Sequence, residues 1–290
     1  MSAPNDSKPA QAPKDAKPAQ APKDSKAVEV PSLSDAEVEA KLRTLSRRGF
    51  AIAGAAVAGT LLAWRWVLRA AEDEGLPWPL RRALETNEHI SETLFSRRQL
   101  APSFPRTAVE PLRENGMFGL GDPEVRSADW QLELNGLAAG PASLDLAALR
   151  ALPRTELTAE FKCIEGWSMV VHWAGASFAD FARAYPPPTR SGRPFDPARP
   201  EELPPYVALE TPDGEYYVGL DVASALHPQT LLAWELNGEP LTPVHGAPLR
   251  LVIPVKYGIK AIKRIGAIAW TQQRPDDYWA ERGYDWFAGL

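Results

Sequence analysis

The 290-residue chain carries one cysteine, Cys163, within Phe161-Lys162-Cys163-Ile164-Glu165-Gly166-Trp167-Ser168-Met169-Val170-Val171-His172-Trp173. The residues before it read as a strand and Gly166-Trp167 as a turn, so the thiol stands at a strand end, where open mixed sheets place their chemistry. A thiolate is a nucleophile or a soft metal ligand. A lone cysteine forms no intramolecular disulfide, no paired-cysteine zinc site and no iron–sulfur cluster by itself. The ordinary alternative is a buried, inert thiol. Further along, Arg250, Lys256, Lys260 and Lys263 crowd the Tyr257-Gly258 turn in a chain whose net charge is −5. Positive charge beside backbone N–H groups binds anions, and the natural anion is a phosphate. A soft ligand and a phosphate cradle together describe the site of a metal-bearing, phosphorylated organic cofactor.

Composition narrows the classes. With 37 acidic against 32 basic residues, the chain lacks the strong basic balance of proteins that neutralise nucleic-acid phosphates, so no nucleic-acid partner is expected. The sequence shows no glycine-rich phosphate loop, nucleophile elbow or paired-histidine zinc helix. His89, His172, His227 and His245 are scattered. Two readings of another kind stay open: a thiol hydrolase with His172 or His245 as base, and a membrane-tethered binding module without redox chemistry.

The elements that must position these residues divide the chain into four parts. Residues 1–45 begin with a Pro/Ala/Lys-rich tail in which KPAQAPKD occurs twice, a disordered segment by composition. They end in a short helix with Ser34 as N-cap and Glu37 completing a capping box. Residues 46–69 carry Arg47-Arg48 ahead of an uncharged run from Gly49 to Trp64, the pattern of a twin-arginine export signal and long enough for an uncleaved membrane anchor. Residues 70–105 read as a helical connector, with a helix through Pro79–Leu94. Residues 106–290 form one domain with strands expected over Trp130–Leu134, Leu157–Phe161, Tyr206–Glu210, Tyr216–Leu220, Leu249–Val255 and Ile265–Thr271. Helices are expected over Leu144–Leu149, Ser177–Tyr185 and Val222–Leu226. Strands without a steady βαβ rhythm imply an α+β, mixed-sheet fold.

The motifs KCIEGWSMVVHW, YVALET, HGAPLR and IPVKYGIKAIK, in that order, resemble the molybdopterin-binding domain of the sulfite oxidase family, over roughly Phe104 to Arg274. The resemblance implies a molybdenum–molybdopterin cofactor, with one molybdenum and one pterin, and Cys163 as the protein ligand to the metal. It places cofactor contacts at Asn115, Phe118, Gly119, Thr211, His245, Arg250, Ala261, Ile262 and Lys263; His245 and Arg250 are also candidates to orient an anion or oxo group. It implies oxygen-atom transfer: reduction of sulfoxides such as methionine sulfoxide in proteins, or alternatively oxidation of sulfite or a related small anion. The implied partners are a membrane haem electron-transfer protein and the twin-arginine machinery, with the protein a monomer in the periplasm or tethered to the outer face of the cytoplasmic membrane. His245 and the ending Asp277–Trp286 depart from the sulfoxide-reducing members.

Overall fold

A computed structural model describes residues 34–73, 75–115, 120 and 129–290. The tail over 1–31 lies outside the described residues, as do Phe118 and Gly119. The chain separates into two units, Met1–Leu61 and Leu62–Leu290.

The described part of the first unit is helical. Helix α1 (Asp35–Leu68) runs without a break through the boundary expected at 45/46, so the short helix and the apolar run are one element. The Ser34 amide donates to Glu37 Oε2 at 2.9 Å and the Glu37 amide to Ser34 Oγ at 3.4 Å, the reciprocal capping box that the sequence predicts. Phe50 and Leu62 remain largely exposed, and the helix is long and apolar enough to cross a membrane.

In chain order the second unit contains β1 (Glu72–Asp73), β2 (Leu76–Pro77), α2 (Trp78–Leu94), β3 (Leu132–Asn135), β4 (Ala142–Leu144) and α3 (Leu146–Arg150). There follow β5 (Arg154–Lys162), β6 (Ser168–Ser177), α4 (Phe178–Ala184), β7 (Tyr206–Glu210), β8 (Tyr217–Asp221) and α5 (Val222–Ala225). Strands β9 (Leu231–Leu236), β10 (Glu239–Pro240), β11 (Arg250–Val252) and β12 (Ala267–Thr271) complete it. One sheet runs β10-β9-β6-β5 with β11 also on β9; the other runs β4-β3-β12-β7-β8. In the second sheet β12 lies parallel to β3 and antiparallel to β7, which makes it mixed and bears out the α+β expectation.

Alternation explains how the sheets stack. On β9, Leu232 and Trp234 enter the main core with Leu132, Leu209, Val218, Ile268 and Phe178. Leu231 and Ala233 face a second cluster with Val171, Trp173 and Leu112. Successive strand residues point to opposite faces, so β9 is buried on both. Each fully buried Leu or Phe here is worth about 1.5–3 kcal/mol. The short helices are set by side-chain caps: Asp145 accepts from the Ala148 amide, Ser177 from Asp180 and Asp221 from Ser224.

Three sequence expectations change. Strands β6 and β9 were not foreseen, and Leu249–Val255 is extended only over Arg250–Val252 before Pro254. The connector 70–105 belongs to the folded body rather than preceding it. Arg81 donates to the Ala280 carbonyl at 3.1 Å, Arg274 pairs with Glu88 at 2.8 Å, and the Phe104 amide donates to Thr158 O at 3.0 Å.

Candidate molybdopterin site

Cys163 follows β5 directly and opens the five-residue turn to β6. Its amide donates to Trp167 O at 2.9 Å, the Gly166 amide returns to Cys163 O at 3.1 Å, and Gly166 takes φ 88°. Such a positive φ favours glycine, so the Gly-Trp pair fixes where the thiol points. Cys163 is 6% exposed, and its Sγ accepts from Asn115 Nδ2 at 3.6 Å. Burial pushes the thiol pKa up, against the lowering by the Glu165 amide. The hydrogen-bond partner is an amide rather than an imidazole, so the Cys–His pair that a thiol hydrolase needs is not formed among the described residues. His172 instead holds Thr158 Oγ1 at 2.8 Å through Nδ1 and meets Arg106 through Nε2.

A cleft of about 150 Å³ opens beside Cys163, and Asn115, Arg250, Ala261, Ile262 and Lys263 share its lining. Residues from four separated stretches thus line one cleft. Arg250 begins β11 and is 1% exposed. Its Nη1 donates to His245 O at 3.0 Å and its Nη2 to Ala261 O at 3.3 Å. Its plane lies over the Trp173 ring at 4.7 Å, while Nε is buried without a hydrogen-bond partner. Burial pushes its pKa down to about 10, so it stays charged at neutral pH. A guanidinium taken out of water with carbonyls but, among the described residues, no carboxylate facing it is costly, and an anionic ligand in the cleft would offset that cost. Lys263 adds a second cation, pushed down to about 8 by burial and by Arg250.

His245 is close to this group without lining the cleft. Its carbonyl orients Arg250, its Nδ1 is buried without a partner, and burial followed by the charge of Arg250 keeps its pKa low. Gly246, at φ 95°, lets the chain turn here: a Cβ would come within 2.7 Å of Lys263 Cβ and 2.8 Å of its Cα. Thr211 also lies outside the lining. Its hydroxyl donates to Asp213 Oδ1 at 2.6 Å and accepts from the Tyr216 amide at 3.1 Å, closing the turn between β7 and β8.

Two of the four clustered cations do not face the cleft. Lys260 Nζ pairs with Asp277 at 2.5 Å and donates to Gly219 O at 2.9 Å. Lys256 Nζ lies 3.6 Å from Asp221 Oδ2 and over the Phe287 ring. The expected four-cation cradle is therefore a pair, Arg250 and Lys263, and the two other lysines anchor the C-terminal segment. Burial pushes Lys256 down to about 7, opposed by Asp221 and reinforced by Lys260. The unfolded chain keeps an ordinary lysine pKa, so between about 7 and about 10 it binds the proton that the folded state lacks, and stability rises with pH. We expect urea denaturation to show a gain on the order of 1 kcal/mol per pH unit from pH 7.5 to 9, reduced in Lys256→Met.

Sequence reasoning missed one wall of the cleft: Tyr216, Trp279 and Tyr284. Tyr216 donates to Ile259 O at 2.7 Å. The density of aromatic residues in Asp277–Trp286 was the available signal.

The donor set fits a cofactor with a soft metal and an anionic group: one thiol and two cations line a single cleft, and the buried Nε of one of those cations, Arg250, has no hydrogen-bond partner among the described residues. Comparison with known proteins agrees. The family described as oxidoreductase molybdopterin binding domain matches residues 120–279, which include Cys163, Arg250 and Lys263. A protein from Azospira oryzae, named as a candidate protein-methionine-sulfoxide reductase subunit YedZ1, is 34% identical over 222 residues, 75% of this chain and 79% of that one. The protein-methionine-sulfoxide reductase catalytic subunit MsrP of Xanthomonas campestris is 34% identical over 157 residues, 53% of this chain and 49% of its own length. MsrP of Gluconobacter oxydans is 38% identical over 181 residues, 56% of this chain and 58% of that one. The chain thus spans about half the length of these two MsrP relatives. It belongs to the sulfite oxidase-type family of molybdopterin-binding oxidoreductases.

Proposed function

We propose that the protein is an exported or membrane-tethered molybdenum enzyme that reduces sulfoxides, with methionine sulfoxide in proteins as the substrate class. The observation that carries this reading is the convergence of Cys163 with the buried Arg250 on one cleft. Cys163 would ligate the metal; Arg250 and Lys263 would hold the anionic end of the pterin, with Asn115, Ala261 and Ile262 beside it. Bound there, the cofactor supplies two-electron oxygen-atom transfer and one-electron exchange with an external donor.

The chain's own contribution is placement, charge and exclusion of water. Asn115 Nδ2 donates to the sulfur and orients it. Reduction of R₂S=O to R₂S and water consumes two electrons and two protons. Lys263, held at about 8, can keep or release a proton at Nζ near neutral pH. The electron donor is an external redox protein, for which a membrane haem protein is the natural class. Arg47-Arg48 ahead of the apolar stretch of α1 supports twin-arginine export, which accepts folded cargo, and an anchor at the outer face of the cytoplasmic membrane. A monomer is the proposed state.

Sulfoxide reduction is favoured over sulfite oxidation by the lining, where one arginine and one lysine stand beside Phe161, Tyr216, Trp279 and Tyr284. A bare dianion gains little from aromatic walls, whereas a carbon-bearing sulfoxide buries apolar surface on them. The test is metal analysis of the full chain followed by parallel turnover assays. We expect about one molybdenum per chain, the stoichiometry of one Cys163 ligand, and turnover of methionine sulfoxide exceeding sulfite oxidation. Molybdenum-free protein, or sulfite as the better substrate, would overturn the reading.

A further inference from the structure

Trp279 and Tyr284 reach the cleft from the C-terminal segment, and their position is built rather than incidental. Asp277 is 2% exposed. Its Oδ2 accepts from Lys260 at 2.5 Å and its Oδ1 from the Trp279 and Ala280 amides at 3.2 and 3.1 Å. One buried ion pair therefore ties the segment to the Gly258–Lys260 turn beside the Arg250–Lys263 pair. Gly283 turns the chain at φ 91°, and the Tyr284 amide closes onto Trp279 O at 2.9 Å. The two rings meet edge to face with centroids 5.2 Å apart. Tyr284 is 37% exposed, so this aromatic corner lies between the cleft and solvent.

Resting on the sulfoxide reading above, we propose that Trp279 and Tyr284 form the specificity-determining wall, receiving the carbon substituents of the substrate at the cleft mouth. The class so selected is a sulfoxide bearing an extended apolar arm, such as a methionine sulfoxide side chain, in preference to a small sulfoxide or an inorganic sulfur anion. An aromatic corner offers a methylene chain dispersion contacts and desolvation, and it offers a dianion neither. Hydrophobic discrimination of this kind amounts to about tenfold per well-placed methylene. The tail that departs from the sulfoxide-reducing relatives is then the part that sets which sulfoxides enter.

The test uses the full-length, molybdenum-loaded protein with Tyr284→Ala, Trp279→Ala and the ring-keeping Tyr284→Phe. Two readouts are taken: the kcat/KM ratio of N-acetylmethionine sulfoxide to dimethyl sulfoxide, and the calorimetric affinity for methionine sulfone. We expect each alanine variant to lower the ratio about tenfold, with the change in KM, and to weaken sulfone binding in parallel. Tyr284→Phe should restore both to within about twofold. A ratio and a sulfone affinity unchanged in the alanine variants would overturn the wall, as would a wild type that binds no sulfone. A wild type that binds the sulfone but holds no molybdenum, or reduces no sulfoxide, would overturn the reaction and leave the wall standing.

Discussion

A Cys163→Ser protein is expected to fold as the wild type does and to lose sulfoxide turnover by at least about 100-fold, beyond the 10–100-fold typical of groups one shell further from a metal. The two halves of this expectation have separate causes. The thiol sits in a turn whose geometry rests on backbone bonds between Cys163, Gly166 and Trp167, none of which involves sulfur. Asn115 Nδ2 can donate to a serine oxygen as it does to Sγ, which holds the stability change to about 1 kcal/mol. A hydroxyl, in contrast, is a hard and poorly ionised ligand where a soft thiolate is wanted. Urea titration of the cofactor-free forms and sulfoxide turnover of the loaded forms measure the two effects. A serine variant with wild-type turnover would remove Cys163 from the chemistry and return it to the class of inert buried thiols.

Arg250→Met is expected to move two measurements in opposite directions. Cofactor retention should fall at least about tenfold, since a hydrogen-bonded contact to an anionic group, worth about 1.5–3 kcal/mol, disappears. The cofactor-free protein should be as stable as the wild type or more stable by about 1–4 kcal/mol, the range found when buried charges give way to apolar side chains of similar size. The reasoning is local. The guanidinium is 1% exposed, faces two carbonyls and, among the described residues, no carboxylate, and stacks over Trp173, a ring that methionine packs against well. Molybdenum content per chain and urea midpoints of the cofactor-free proteins give the two numbers. A loss of stability with unchanged cofactor content would make Arg250 a structural residue. The opposite pattern would mark a cation kept at a cost to the fold because a ligand uses it.

The legible and illegible parts of the fold divide along burial. Strand β3 alternates between buried and exposed positions, and β7 and β12 keep much of that period, so all three show in the sequence. Strands β6 and β9 form the centre of a sheet covered on both faces, and Val-Val-His-Trp-Ala-Gly-Ala and Leu-Leu-Ala-Trp carry no period of two to detect. The site shows the same limit in another form. Cys163 at a strand end and Arg250 beside a turn follow from residue type and spacing. Lys256 and Lys260 carry the same charge in the same stretch, yet their carboxylate partners Asp221 and Asp277 lie elsewhere in the chain, and a local charge count cannot show a distant counter-ion. Asn115, Ala261 and Ile262 came from motif resemblance; no local physical rule marks them. Trp279 and Tyr284 were read as an unusual ending, since only the buried Lys260–Asp277 pair turns that ending into a cleft wall.

That wall also bears on the order of events as the protein is made. The cleft draws on residues from Asn115 to Tyr284, so the wall of Trp279 and Tyr284 is synthesised after every other part of it. Until that last stretch has left the ribosome and Asp277 has found Lys260, the pocket lacks a side. A cofactor arriving earlier would meet an open surface and an unpaired buried-to-be lysine. A pocket with its full lining therefore exists only once the Asp277–Trp286 stretch has been made and has docked through the Lys260–Asp277 pair.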